Sequence, residues 1–167
     1  ATSVYGVGED LTQRFPLHPV GARALGTDTL VLTYRAGTTH LDMLYALRDD
    51  HVEILMPTPA SDDVQFVSFP GSFAPDGAHH RLLLPIMQGM LWDGRGASFD
   101  TVRSEGAHPG FSMSFVGYLA EQAGLLLTTE NIDDQRWWFG KDEDGRIWAT
   151  NLQVSSLGTM SYPRVAR

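Results

Sequence analysis

The sequence predicts a β-rich α+β domain, an antiparallel β-sandwich or curved sheet with two short helices and an extended N-terminal arm. Three observations lead to it. Roughly nine short runs of β-branched, aromatic and aliphatic residues occur along the chain, bounded by Gly, Pro, Asn, Asp or Ser. The runs show no internal repeat and no regular alternation with helical segments, which removes solenoids and parallel βαβ sheets. The chain has 167 residues, 43% hydrophobic and 19% charged, and no low-complexity stretch or linker divides it, so one core is expected.

Residues 1–26 lack a sustained period of 2 or 3.6 and are punctuated by Gly6, Gly8, Pro16, Pro19 and Gly21. They read as an extended N-terminal arm, and 27–167 as a single β-rich domain. Because the arm carries Val4, Tyr5, Val7, Leu11, Phe15, Leu17 and Val20, it should lie on a protein surface, its own or a neighbour's. The run TLVLTYR at 29–35, between Gly26 and Gly37, is a strand. Thr39 then offers an N-cap with Asp42 at N3, and Leu41, Leu44, Tyr45 and Leu47 share one helical face, predicting a helix over 40–49.

Strands follow at 52–56, 63–69 and 81–92, and Pro85 and Gly89 demand an edge, bend or bulge within the last. A tight turn at 93–96 leads to a further strand at 98–102 and a small, polar loop at 104–110. Phe111, Met113 and Phe115 alternate as in a strand. Phe115, Val116, Leu119, Gln122 and Ala123 instead fall at helical spacing ahead of Gly124, a C′ glycine, and predict the second helix over 115–123. Runs at 136–139 and 146–152 flank the polar segment 140–145 and form a hairpin.

Charge narrows the partners. Twelve Lys and Arg against 20 Asp and Glu give −8 at pH 7 and a pI near 5.0. Such a surface has no general attraction for phosphate backbones or anionic lipid, so neither nucleic acid nor membrane is expected as a partner. No apolar run reaches the roughly 20 residues of a membrane helix. The absence of Cys removes disulfides, thiolate metal sites and cysteine nucleophiles. All basic residues but Lys141 are Arg, read first as a coding-composition bias and second as planar forks for carboxylates at interfaces. Ala1 follows either a trimmed Met or a cleaved leader, two histories with different compartments; a virion or extracellular setting is the weak preference over the cytoplasm.

The motifs of common chemistries are missing or incomplete. Of His18, His40, His51, His79, His80 and His108, none forms an HExxH pair, and adjacent His79 and His80 point to opposite faces of a strand, so no metal site is assigned. There is no GxSxG elbow, since Gly110-Phe-Ser112-Met-Ser114 places its glycine wrongly, and no catalytic residue is assigned. Gly6-Val-Gly8 lacks the third glycine of a dinucleotide fingerprint, and no P-loop is present, so no cofactor is expected. Asp142-Glu-Asp144-Gly145 resembles part of a calcium loop, but Gln153 stands where its closing Glu belongs.

The aromatic set Trp137, Trp138, Phe139 and Trp148 carries more. Alternation puts Trp137 and Phe139 on one face of a strand and Trp138 on the other, with Trp148 on the partner strand. An exposed Trp beside Arg136 and Arg146 suits an interface hot spot or a stacking platform for a sugar ring, whereas burial of the whole set in a core is the plainer reading. Three functions compete. The first is a non-enzymatic structural subunit of a virion-type or other extracellular assembly, homo-oligomeric or larger. It would clasp protein subunits through Val4, Tyr5, Phe15 and Leu17 of the arm and through Arg136, Trp137, Trp138, Arg146 and Trp148 of the hairpin. The second is a lectin-like carbohydrate-binding module using exposed Trp. The third is a small hydrolase with a His/carboxylate site.

Overall fold

The computed structural model describes residues 4–6, 15–59, 64, 66–73, 81–86, 89–93, 101–105, 113–130, 135–141, 146–154, 160 and 162–167, some of these by backbone alone. Fifteen strands run in order: β1 (Val4–Gly6), β2 (Phe15–Pro16), β3 (His18–Leu25), β4 (Thr29–Ala36), β5 (Thr39–Leu47), β6 (Val52–Met56), β7 (Phe66–Phe73), β8 (Arg81–Leu84), β9 (Met90–Trp92), β10 (Thr101–Glu105), β11 (Phe115–Leu119), β12 (Gly124–Thr128), β13 (Gln135–Lys141), β14 (Ile147–Val154) and β15 (Arg164–Ala166). They form three antiparallel sheets, ordered β10-β13-β14-β7-β1-β2, β12-β11-β8-β9 and β15-β6-β5-β4-β3.

The two expected helices are absent, which corrects the α+β assignment to a nearly all-β one. Residues 39–47 are β5. Gly37, at φ 59°, turns β4 into β5 through a two-residue loop, with Ala36 opposite Thr39. The strand period then places Leu41, Met43 and Tyr45 on the core side, so the apparent helical stripe was a period-2 pattern with Leu44 on the opposite face. Residues 115–119 are β11, whose Val116 and Tyr118 enter the core, and Gly124 begins the returning strand rather than capping a helix. Tertiary pairing overrides the cap signals at both places. Likewise the run expected at 81–92 splits into β8 and β9, where Gly89, at φ 101°, donates its N–H to the Ile86 carbonyl at 2.9 Å.

One core joins all three sheets. Val67, Phe69, Trp137, Phe139, Ile147 and Ala149 come from the six-stranded sheet, Leu82, Leu84, Trp92, Val116, Tyr118 and Leu127 from the four-stranded sheet, and Leu41, Met43, Met56 and Ala166 from the five-stranded sheet. Tyr118 reaches across from the four-stranded sheet to hydrogen-bond the backbone of Ala149, and its burial pushes the phenol pKa up. Arg164 is fully buried, with its guanidinium 3.6 Å above the Tyr162 ring and Nη1 donating to the Tyr162 carbonyl at 3.0 Å.

The four- and five-stranded sheets meet at a seam. Thr129 bridges Ala166, and Thr128 and Arg167 exchange backbone hydrogen bonds of 2.7 and 2.9 Å. Beneath the seam three polar side chains close a ring. The Thr129 hydroxyl donates to Gln135 Oε1 (2.5 Å), Gln135 Nε2 donates to Ser114 Oγ (2.6 Å), and the Ser114 hydroxyl is left to donate to Thr129 Oγ1 (2.5 Å). Each hydroxyl thus gives one bond and accepts one, which is what makes their burial tolerable. At the surface Glu53 accepts from Arg48 Nη2 (2.8 Å) and from Arg167 Nη2 (3.0 Å), and Arg167 also pairs with Glu130.

Two outcomes follow for stability. Gln135→Leu removes two bonds of the ring and leaves the Ser114 and Thr129 hydroxyls only each other, which should cost about 1–3 kcal/mol in urea unfolding; a loss below about 0.5 kcal/mol would contradict the closed ring. Arg48 first and Arg167 second hold the Glu53 carboxyl below the ordinary glutamate range. A depressed folded-state pKa gives stability that is complete above the unfolded glutamate range and is lost as pH falls through the folded value. The stability difference between the wild type and Glu53→Gln should therefore shrink on acidification and in 1 M salt; a difference independent of both would refute the pairing.

Candidate functional site

The aromatic hairpin is β13 and β14, paired from Gln135 opposite Gln153 to Lys141 opposite Ile147. Strand alternation sorts its side chains. Trp137 is 1% exposed and stacks on Phe139, with ring centroids 6.2 Å apart and planes within 3°. Both are core residues, with Ile147 and Ala149 on the same face. Their burial fixes which way the hairpin faces, and therefore where Trp148 points.

Trp148 lies on the opposite face, paired with Gly140. A Cβ placed on Gly140 would stand 2.4 Å from Trp148 Cζ2 and 2.6 Å from Cε2, so the indole fills the space a side chain at 140 would need. Gly140 is buried beneath it while Trp148 itself is only half-buried. The Nε1–Cε2–Cζ2 side of the indole lies against the Gly140 backbone. Such an arrangement is rigid and apolar with a polar N–H at its edge, the properties of a stacking surface.

Arg146, two residues before Trp148 and hence on its side of β14, is exposed. In the next register row Trp138 stands between Arg103 of β10 and Thr150 of β14, and in the row after it Arg136 stands between Glu105 and Leu152. Thr150 is buried and its hydroxyl lies 3.2 Å from that of Ser68 in β7, so this face is covered toward β7.

The other predicted surface residues are dispersed. Val4 and Tyr5 lie in β1, paired with Pro16 and Phe15 of β2, and Tyr5 is also paired with Val67 of β7. Leu17 is 3% exposed and belongs to the core. β3, the last part of the expected arm, is the edge strand of the five-stranded sheet. The leading segment and the aromatic hairpin thus share one sheet, with β7 between them. Sequence reasoning missed Gly140, which it placed in the loop; the signal was available in the hairpin register, which sets a glycine opposite a tryptophan.

His18 and His40 are exposed, and His51 Nδ1 lies 2.6 Å from Asp50 Oδ1, a contact that lowers the Asp50 pKa. His79, His80, His108 and the 142–145 loop lie outside the described residues. Among the described residues no group of three or more His, Asp or Glu gathers to hold a metal ion.

No known protein family matches the sequence, and no curated protein matches it. Among solved structures the chain is similar to the alpha-N-acetylgalactosaminidase NagBb from Bifidobacterium bifidum. With the GalNAc complex the TM-score is 0.76 at 15% identity, over 99% of this chain and 29% of that one. The ligand-free form gives 0.72 at 15% identity, over 98% and 29%. The quadruple mutant gives 0.70 at 16%, over 100% and 30%. The chain therefore spans about 29% of the length of the enzyme it resembles, and at this identity the likeness is one of fold.

Proposed function

We propose that this chain is a carbohydrate-binding β-sandwich module that serves a carbohydrate-active enzyme and uses Trp148 as its stacking platform. The observation that carries the reading is the half-buried Trp148 indole seated on Gly140, on the side of the hairpin opposite the core. Pyranose rings present a flank of C–H groups that packs on such a face, and their hydroxyls need polar partners at its rim, a role open to Arg146. The fold shared with an alpha-N-acetylgalactosaminidase supports a carbohydrate as the ligand class.

The alternative readings fare less well. The assembly-subunit reading rested on a leading segment with no place in its own domain, yet β1, β2 and β3 pair within the chain's own sheets and Leu17 is buried. The hydrolase reading required converging His and carboxylate groups, and among the described residues the His51–Asp50 pair at the surface is not joined by a third.

A glycan array that includes GalNAc-terminated oligosaccharides, followed by titration of tryptophan fluorescence, tests the proposal. Trp148→Ala should weaken binding about tenfold or more, the scale set by about 0.5–1.5 kcal/mol for an aromatic stack together with its buried area. Gly140→Ala should also weaken it, because the new methyl expels the ring from its seat. Silence across the array, or hits that survive both substitutions, would refute the platform.

A further inference from the structure

Three basic side chains line up on the outward face of the five-stranded sheet. The register sets His18 of β3 directly opposite Arg35 of β4, and Arg35 directly opposite His40 of β5. Directly opposite residues share a face. It is the face away from the core, since the neighbouring Tyr34 and Leu41 pack inward. All three residues are exposed. At ordinary strand spacing the two histidines stand about 10 Å apart with the arginine between them.

Two features of the backbone build the row. The tight turn from β4 to β5, with Gly37 at φ 59°, holds Ala36 opposite Thr39 and thereby Arg35 opposite His40. In β3 the register shifts by one residue between Pro19 and Gly21. Were the pairing of Gly21 with Thr33 continued unbroken, Pro19 would stand opposite Arg35, so the shift is what brings a histidine into line.

The row has no counter-charge of its own. The acid in the next row, Asp42, accepts from Thr33 (2.6 Å) and pairs with Arg23 (3.8 Å), and among the described residues no acid pairs with Arg35. Like charges set directly opposite one another destabilise a sheet, so the fold gains nothing from the row. Edge protection does not account for it, because a guarding charge belongs on the edge strand, whereas Arg35 is one strand in and His40 two. The order of the residues argues against a cation as well: a metal would need both imidazoles, which are two strands apart with a guanidinium between them.

We infer that His18, Arg35 and His40 form a binding site for a tetrahedral oxyanion, a sulfate or phosphate group carried as an ester or free. The guanidinium takes two of its oxygens as a planar fork. Cβ atoms of directly opposite residues lie about 4.5–5.5 Å apart, which lets an imidazole on each side donate to the remaining oxygens. A carboxylate has both oxygens on the fork and leaves the flanking histidines unused. In a chain of net charge −8 the long-range field repels any such ligand, so these side chains must attract it locally, within the Debye length of about 8 Å at physiological salt. The site lies on a different sheet from Trp148 and does not rest on the carbohydrate reading.

The test is an NMR titration of the 167-residue chain in about 0.15 M NaCl, followed at the Arg35 guanidinium and the histidine imidazoles. The probes are inorganic sulfate, inorganic phosphate, galactose 6-sulfate and glucuronate. The three tetrahedral oxyanions should move the signals of Arg35, His18 and His40 along one saturable curve, and glucuronate should bind at least about tenfold more weakly. Arg35→Gln should weaken the oxyanions about tenfold or more, and His18→Gln and His40→Gln about two- to fivefold each, with melting midpoints unchanged. Should a variant fold poorly, the wild-type titration decides alone.

Tighter binding of the sugar sulfate than of inorganic sulfate supports the site with the ester as its ligand, and equal affinity supports it with the free ion. Shifts that fail to saturate, that glucuronate reproduces at equal concentration, or that persist in Arg35→Gln would overturn the inference. The readout is at Arg35 and the platform is read at Trp148, so either proposal can fail without the other.

Discussion

Thr128 and Arg167 exchange both of their backbone hydrogen bonds, and that exchange decides how the molecule is layered. It carries the hydrogen-bonded ladder from β12 to β15, so two sheets of four and five strands become one wall across the core from the six-stranded sheet. The contact is short, and its surroundings share the burden. The Ser114–Thr129–Gln135 ring satisfies the polar groups beneath it, and Arg167 ties β6 to the segment after β12 through Glu53 and Glu130. Gln135 belongs to β13, so the polar ring that supports the seam also anchors the aromatic hairpin.

That coupling is what makes the platform rigid. Trp137 and Phe139 stack within the core, Gln135 is pinned under the seam, and the backbone between them has no freedom to turn over. The opposite face of β13 is therefore fixed too, and Gly140 stays where Trp148 covers it. A glycine in a strand interior ordinarily weakens the strand; here the indole laid across from the neighbouring strand supplies the missing packing. The same residue pair thus serves stability and presents a flat aromatic surface, so selection for either would maintain it.

Much of this was legible in the residues. Runs of β-branched, aromatic and aliphatic residues bounded by glycine or proline located β4, β6 and the β13–β14 hairpin. Where β5 and β11 were read as helices, each carried apolar side chains on both faces of a strand, Leu41 and Leu44 in β5 and Val116 and Leu119 in β11, and such a strand mimics the spacing of a helix. Leu17 looked like an interface residue since nothing local told which sheet would cover it. The Trp148–Gly140 contact depends on register, and register depends on Trp137 choosing the core, a tertiary decision that single-strand patterns do not record.

The account stands or falls on contact between a sugar ring and the Trp148 indole. The most direct measurement is the proton NMR spectrum of a GalNAc-terminated oligosaccharide titrated with the protein. The account predicts upfield ring-current shifts confined to one flank of one pyranose, lost when Trp148 is replaced. Shifts that persist without Trp148, or a sugar spectrum unmoved by the protein, would contradict it.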